Sequence, residues 1–461
     1  MQLQKYFFIR FKWLPGQGSS KSLQKITGTC RVQENFYYYC TVFVRIKSKI
    51  QLTYSCIAMR VIKHLLSLYL LFMAVTASCQ HLVNTAKTSS AKTSILPGAY
   101  SVNEYLPKLK GAKVGLVANN TSIIKHTHLL DTLLALQVNV VKVFGPEHGF
   151  RGDTPDGKEI SSGTDPKTGI DIISLYGNHK KPSKTDLQGI DMMVFDIQDV
   201  GVRFYTYIST LTYVMEACAE NNIPLLVLDR PNPNGFYVDG PVLEPSYASF
   251  IGLHPVPVVY GMTIGEYANM VNGEKWIKST RNCDLTVVKC KNYDHKSRYQ
   301  LPEKPSPNLQ DMQAVYLYPS LCFFEGTVVS IGRGTENPFK VFGHPKYTGG
   351  SFSFTPRPIS GISEDPPLKG QLCNGQYLGA SADKIKQQGK IDLSWLLKAY
   401  KNLGTKTDFF TAYFEKLAGT NMLRKQIVSG KSETEIRKSW QTGLNTFKQI
   451  RKKYLLYADF E

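Results

Sequence analysis

The run Val-Lys-Val-Phe-Gly-Pro-Glu-His-Gly-Phe-Arg-Gly at residues 141–152 decides how this chain is read. With Val138 and Val140 before it, the segment through Val143 and Phe144 is apolar and β-branched, which predicts a buried strand. Gly145-Pro146 should end that strand, since glycine permits unusual backbone angles and proline donates no ladder hydrogen bond. Glu147, His148 and Arg151 follow directly. In open α/β sheets, side chains just past a strand's carboxyl end face the crevice where ligands bind. One such turn by itself is more often a polar loop with a capping glutamate. The case for a site rests on recurrence.

Outward from this run the pattern repeats. A strand at 113–118 ends in Asn119-Asn120, and a leucine-striped helix spans 127–136. A nearly continuous apolar strand at 190–197 leads into Asp196, Gln198, Asp199, Arg203 and Tyr205. A helix at 206–221 precedes a buried strand at 223–228, which ends in Asp229, Arg230 and Asn232. Strands apolar on both faces and alternating with helices predict an α/β fold, a Rossmann-like doubly wound parallel sheet. That topology would converge four polar strand ends on one crevice. Thr263 and Glu266 form a capping-box signature, which gives Glu266 a structural role. The proline-rich stretch 301–307 marks a domain boundary, so residues 96–305 are read as the sheet domain and 306–461 as a smaller α/β domain. The second domain adds Glu325, then Arg333 between two glycines, and Glu336. Glu244 lies in the connecting region.

The formal charge of +19 is unevenly placed. Residues 1–79 contribute +10 from 11 Lys/Arg and one acid, leaving +9 over the other 382 residues. That is a mildly basic surface rather than a phosphate-tracking stripe, so no nucleic-acid partner is expected. Residues 1–58 show no sustained period and are expected to lie outside the fold as an extension, with Met59 as the start. Arg60 and Lys63, an apolar core at 65–75 and Thr76-Ala77-Ser78 before Cys79 have the layout of a secretory signal. The site also resembles a relaxed lipoprotein box with Thr76 where Leu or Val is usual, so Cys79 is either acylated or simply the cleavage point. Residues 80–95 read as a tether, and any membrane contact is through a lipid anchor alone. Five later cysteines, Cys218, Cys283, Cys290, Cys322 and Cys373, lack zinc-ligand spacing and are expected to be buried thiols, with one disulfide left open.

No Gly-x-Ser-x-Gly elbow, His-Glu-x-x-His helix, Walker loop or dinucleotide glycine fingerprint is present. No metal and no cofactor is expected. Carboxylates, amides, arginines and tyrosines dominate the strand ends. That set suits glycoside hydrolysis, in which one carboxyl protonates the leaving oxygen and a second group attends the sugar's other face. Retention or inversion stays open.

The runs at 144–152, 196–207 (Asp-Ile-Gln-Asp-Val-Gly-Val-Arg-Phe-Tyr-Thr-Tyr), 229–235 (Asp-Arg-Pro-Asn-Pro-Asn-Gly) and 324–327 (Phe-Glu-Gly-Thr) resemble the NamZ-type exo-β-N-acetylmuramidases. So do the runs at 239–244 and 332–336, and the resemblance extends from about Leu96 to Glu461. It implies a Rossmann-like catalytic domain with a smaller α/β domain. It also implies release of N-acetylmuramic acid from non-reducing ends of peptidoglycan fragments without a cofactor. The family's candidate catalytic glutamate corresponds to Glu147, with His148 beside it.

The expected protein is therefore exported, periplasmic or lipid-anchored, with muropeptides as its partners. The rival is a carbohydrate-binding envelope lipoprotein without turnover; a muropeptide amidase or esterase would need a nucleophile or metal that is not found. N-acetylmuramic acid carries a lactyl carboxylate that N-acetylglucosamine lacks. Among Arg151, Arg203, Arg230 and Arg333, the first and third adjoin acids and are expected in ion pairs, which leaves Arg203 and Arg333 to read that carboxylate.

Overall fold

The computed structural model describes residues 59, 61–74, 94–151, 162–405 and 407–461. Met1–Lys92 and Thr93–Glu461 are separate compact units. In the first, residues 61–74 are helical with Leu65, Leu68, Leu71 and Phe72 exposed. Among the described residues no helix is long and apolar enough to cross a membrane. The extension 1–58, Cys79 and nearly all of the tether lie outside the described residues.

In the second unit Leu96 bridges Lys291, and the chain then lays down β1 (Lys113–Ala118), a short hairpin of β2 (Ile123–Ile124) and β3 (Thr127–His128), and β4 (Asn139–Gly145). Next come β5 (Gly163–Thr164), β6 (Asp171–Ser174), β7 (Met192–Asp196) and β8 (Leu225–Leu228). A two-stranded ribbon of β9 (Asp239–Val242) and β10 (Pro257–Val259) precedes β11 (Leu285–Val288). Seven strands form one sheet in the order β11-β8-β7-β1-β4-β6-β5, parallel except for β5. The chain runs outward from β1 through β4 to β6, then returns to β7 on the other flank of β1. This is the doubly wound arrangement, with its reversal between β1 and β7.

Burial explains why the strands read as unbroken apolar runs. Val117, Met193, Phe195, Leu225 and Val227 enter one core with α3 (Tyr207–Asn221) and α4 (Ile264–Gly273). Their neighbours Leu116, Ala118, Val194, Leu226 and Leu228 enter the opposite core with α1 (Val102–Leu109) and α2 (Leu129–Ala135). Successive side chains point to opposite faces, so helices on both sides require apolar residues at every position. Each fully buried Val or Leu contributes about 1.5–3 kcal/mol. The capping box at Thr263 and Glu266 is present, and all five of these cysteines are free and buried.

The first core continues without interruption into the remainder of the chain. There lie α5 (Met312–Leu321), a three-stranded antiparallel sheet of β12 (Val341–His344), β13 (Phe352–Phe354) and β14 (Cys373–Tyr377), and five helices. These are α6 (Ala382–Gln388), α7 (Ser394–Leu403), α8 (Tyr413–Ala418), α9 (Met422–Val428) and α10 (Glu433–Lys452). The boundary expected at 305/306 falls inside this one compact unit.

Several polar strand ends serve the fold. Asp196 and Arg230, both buried, form a two-pronged ion pair at 2.6 and 2.8 Å. Asp229 accepts from Gly265 N (2.7 Å), Thr263 Oγ1 (2.7 Å) and Tyr457 Oη (2.5 Å), so α4 and the C-terminal tail both dock on it. Asp199 accepts from the Tyr260 hydroxyl and from Gly201 N at 2.6 Å, while its Oδ1 has no hydrogen-bond partner among the described residues. Complete burial pushes the Asp199 carboxyl up to about 6, against the pull of those hydrogen bonds. A carboxyl raised in the folded state binds its proton more tightly there than when unfolded. Its cost to stability is therefore small near its unfolded pKa and grows as pH rises through about 6. Asp199→Asn removes the charge and leaves an oxygen to accept from Tyr260 and Gly201. Relative to the native protein, the variant should gain roughly 2 kcal/mol between about pH 4 and pH 8, read as a widening difference in thermal unfolding. A constant difference across that range would exclude Asp199 as the titrating group.

Candidate active site

Beyond β4 the backbone turns sharply, with Gly149 N bonded to Pro146 O at 3.0 Å. His148 and Gly149 both adopt left-handed conformations, at φ of 74° and 78°. For a non-glycine residue that conformation costs on the order of 1 kcal/mol or more, and it persists only where the surroundings impose it. The turn sets Glu147 and His148 side by side in one pocket.

Glu147 is held by α3. Thr206 occupies the N-cap of that helix, but its hydroxyl donates to Glu147 Oε2 at 2.8 Å instead of capping its own helix. Tyr207, the first helical residue, reaches the Glu147 carbonyl at 3.4 Å and accepts from Asn119 Nδ2 at 2.9 Å. Asn119 also fastens the loop after β1, with its Oδ1 accepting from Thr121 N (2.9 Å) and Oγ1 (2.6 Å). Thr121 Oγ1 then accepts from Gln198 N at 3.0 Å, beyond β7. Three strand ends are thereby tied together, as the doubly wound topology predicts.

The facing wall comes from the second half of the chain. Glu325 sits in the short 3₁₀ turn Cys322–Gly326, where its Oε1 accepts from Arg333 Nε at 2.7 Å and its Oε2 from the Cys322 thiol at 3.3 Å. The Arg333 guanidinium lies over the Phe339 ring, 5.0 Å from its centroid. It is flanked by Gly332 and Gly334 with φ of 81° and 77°. A Cβ at Gly332 would stand 2.7 Å from Asn337 O, and one at Gly334 2.5 Å from Arg357 O, so only glycines fit. Tyr413, in α8, completes this wall. Partial desolvation of this half-exposed residue raises its phenol pKa, as do neighbouring Cys322, Glu325 and Glu147, while Arg333 lowers it. Phe204, Tyr205 and Tyr318 pack edge to face beneath, with centroids 5.3 Å (Phe204–Tyr318) and 6.0 Å (Tyr205–Tyr318) apart.

Of the residues singled out in the sequence, Glu147, His148, Tyr205, Glu325 and Arg333 line this pocket. Asn119 supports it from behind. The reading of Arg203 as a substrate contact is corrected. Arg203 is fully buried, and its guanidinium donates to four carbonyls at 2.8–2.9 Å: Pro241, Val256, Leu417 and Ala418. Burial pulls its pKa down to about 9. The last two carbonyls end α8, so Arg203 anchors the helix that carries Tyr413. Glu244, exposed, grips the same end, accepting from Gly419-adjacent Thr420 Oγ1 at 2.5 Å.

Asp196, Asp199, Asp229 and Arg230 are buried in the contacts described above and do not line the pocket. Gln198 donates to Asp199 O and Pro231 O, and Asn232 to Met262 O, at 2.7–2.8 Å. Asn120 holds Lys304 O at 3.0 Å. Arg151 forms a two-pronged pair with buried Asp165 at 2.8 and 3.1 Å, and Glu336 is exposed elsewhere. Sequence reading passed over Thr206, Tyr318 and Tyr413. Thr206 lay within the 196–207 run, whereas nothing around Tyr413 distinguished it from any aromatic on a helix. Among the described residues no group of three or more His, Cys, Asp or Glu side chains is placed to hold a metal ion.

Comparison with known proteins identifies the family. The family model described as Exo-beta-N-acetylmuramidase NamZ, N-terminal, matches residues 114–313, and its C-terminal counterpart matches residues 316–457. The chain is 40% identical over 407 residues to Peptidoglycan beta-N-acetylmuramidase NamZ of Bacillus subtilis (strain 168), covering 83% of this chain and 95% of that protein. It is also similar to two crystal structures of DUF1343 family proteins from Bacteroides fragilis NCTC 9343. One is 48% identical with a TM-score of 0.74, spanning 80% of this chain and 100% of that one. The other is 29% identical with a TM-score of 0.67, spanning 79% and 99%. The chain belongs to the NamZ family of exo-β-N-acetylmuramidases, which are glycoside hydrolases.

Proposed function

We propose that this protein releases N-acetylmuramic acid from non-reducing ends of peptidoglycan fragments, with Glu147 as the general acid. The observation that carries the reading is the placement of Glu147. Its carboxyl enters an aromatic-floored pocket, with one oxygen fixed by Thr206 and a second carboxylate on the facing wall. Similarity to the Bacillus subtilis relative, a peptidoglycan β-N-acetylmuramidase, supports the substrate class. With Oε2 engaged by Thr206, the other carboxyl oxygen is the one that protonates the glycosidic oxygen as its bond to the anomeric carbon breaks. A fixed rotamer at the proton donor spares the reaction the work of ordering it. His148, locked beside it, shapes the same wall.

Arg333 is the guanidinium that lines this pocket, and it is the candidate reader of the lactyl carboxylate. A planar fork can engage two anions at once. The N-terminal layout at residues 59–79 supports export, with Cys79 as the first mature residue. The protein would then act in the bacterial envelope, where its substrate is found.

Glu147→Gln should cut turnover of a chromogenic β-N-acetylmuramide by about 100-fold or more with unchanged melting and substrate affinity; near-native turnover would end the assignment. Arg333→Met should weaken the muramide relative to the matching glucosaminide by roughly 1.5–3 kcal/mol in kcat/KM. Equal losses on both sugars would mean that Arg333 does not read the lactyl group. Intact-mass analysis of material produced in a bacterial host should find a chain beginning at Cys79, with or without acyl mass. A mature chain that still carries residues before 59 would contradict export through this signal.

A further inference from the structure

We infer that Glu325 is the second catalytic carboxyl, the anion that meets the anomeric carbon while Glu147 protonates the departing oxygen; this rests on the reading of Glu147 as the acid. The two glutamates come from opposite halves of the chain and line one pocket. Their surroundings differ in the way a divided pair of roles requires. Glu147 is held by a neutral hydroxyl, at 2.8 Å from Thr206. Glu325 faces a guanidinium, at 2.7 Å from Arg333 Nε, and receives the Cys322 thiol at 3.3 Å on its other oxygen. Two carboxyls in one site acquire acid and anion roles when their environments separate them. The counter-charge stands beside Glu325.

The side chain is also built to be held still without being sealed away. Glu325 and Arg333 keep 22% and 19% of their side-chain surface accessible, whereas the structural pair of Asp196 and Arg230 keeps 0% and 1%. A pair that served the fold alone would gain from the same enclosure. The rigid parts lie behind it: the 3₁₀ turn at the end of α5, and a loop that tolerates only glycine on either side of Arg333. Tyr413 lines the same pocket as Glu147 and Glu325, so the two carboxyls and the phenol border a common space.

In the reaction, the Glu147 proton passes to the glycosidic oxygen and the C1–O bond breaks, its electron pair leaving with that oxygen. The electron deficiency at C1 and the ring oxygen is met by the Glu325 carboxylate. Water then supplies the hydroxyl to C1, and its remaining proton returns to a carboxylate of the pair, which restores the starting charge. Nothing is oxidised or reduced.

The test uses Glu325→Ala and the isosteric Glu325→Gln in the full chain, with Glu147→Gln alongside, assayed on a chromogenic β-N-acetylmuramide with and without sodium azide or formate. Both Glu325 variants should melt near the native temperature and lose about 1,000-fold or more in kcat. Azide should restore at least 10-fold of that loss in Glu325→Ala and yield a glycosyl azide, because the small anion occupies the place of the missing carboxylate. Folded Glu325 variants within a few-fold of native rate, or inactive ones that neither anion rescues, would make the Glu325–Arg333 pair structural and overturn the inference. A native-like rate in Glu147→Gln with rescue of Glu325→Ala would instead remove Glu147 as the acid, so the two failures are told apart.

Discussion

The hydroxyl of Tyr207 is the point on which the pocket depends. It accepts from Asn119 at the end of β1 and reaches the carbonyl of Glu147 at the end of β4, while Tyr207 itself begins α3. A parallel sheet leaves its strand ends as separate loops, each free to choose its own course. Joining two of them to the first turn of a buried helix converts the loops into one rigid edge. Thr206 adds the side-chain bond that fixes the Glu147 rotamer. Glu147 is therefore oriented by the fold's own framework, and the positioning energy is supplied on folding rather than on substrate binding.

Buried charge is handled in two ways on either side of that edge. Asp196 with Arg230, Asp229 with donors that include Gly265 N, Thr263 Oγ1 and Tyr457 Oη, and Arg203 with four carbonyls on its terminal nitrogens are enclosed and heavily hydrogen-bonded. Enclosure of a charge calls for such extensive partnering, since removal from water costs several kcal/mol per ion. The Glu325–Arg333 pair and Glu147 retain access to the pocket. Arg203 joins the two groups, for it clamps the carboxyl end of α8, where partial negative charge accumulates, and α8 carries Tyr413 into the site. A fully buried arginine without a carboxylate thus shapes a pocket that it never touches.

The place where the strand order reverses is filled by protein. The loop after β1, the Asp196–Arg230 pair and Gln198 occupy the ground between β1 and β7, and the Ser122 hydroxyl bonds the carbonyl of Asp196 there. The pocket is displaced toward β4 and closed by the second half of the chain. Families with this sheet that bind dinucleotides keep the crevice open with small glycine turns. Here polar side chains stand in those positions.

Much was decided by the sequence alone. The nearly continuous apolar runs at 113–118, 190–197 and 223–228 can be buried only with helices on both faces, and this dictated the doubly wound sheet. The Gly145-Pro146 break placed Glu147 and His148 at a strand's carboxyl end, and the glycines around Arg333 marked a loop with one required backbone. What the one-dimensional pattern could not distinguish was a polar residue enclosed by partners from one exposed to a pocket, because both follow strands in the same way. Arg203 meets carbonyls more than 200 residues away, and Tyr413 enters the site from a helix with no local mark. Those pairings are set by how the second half of the chain packs on the first, and only the tertiary structure carries that information.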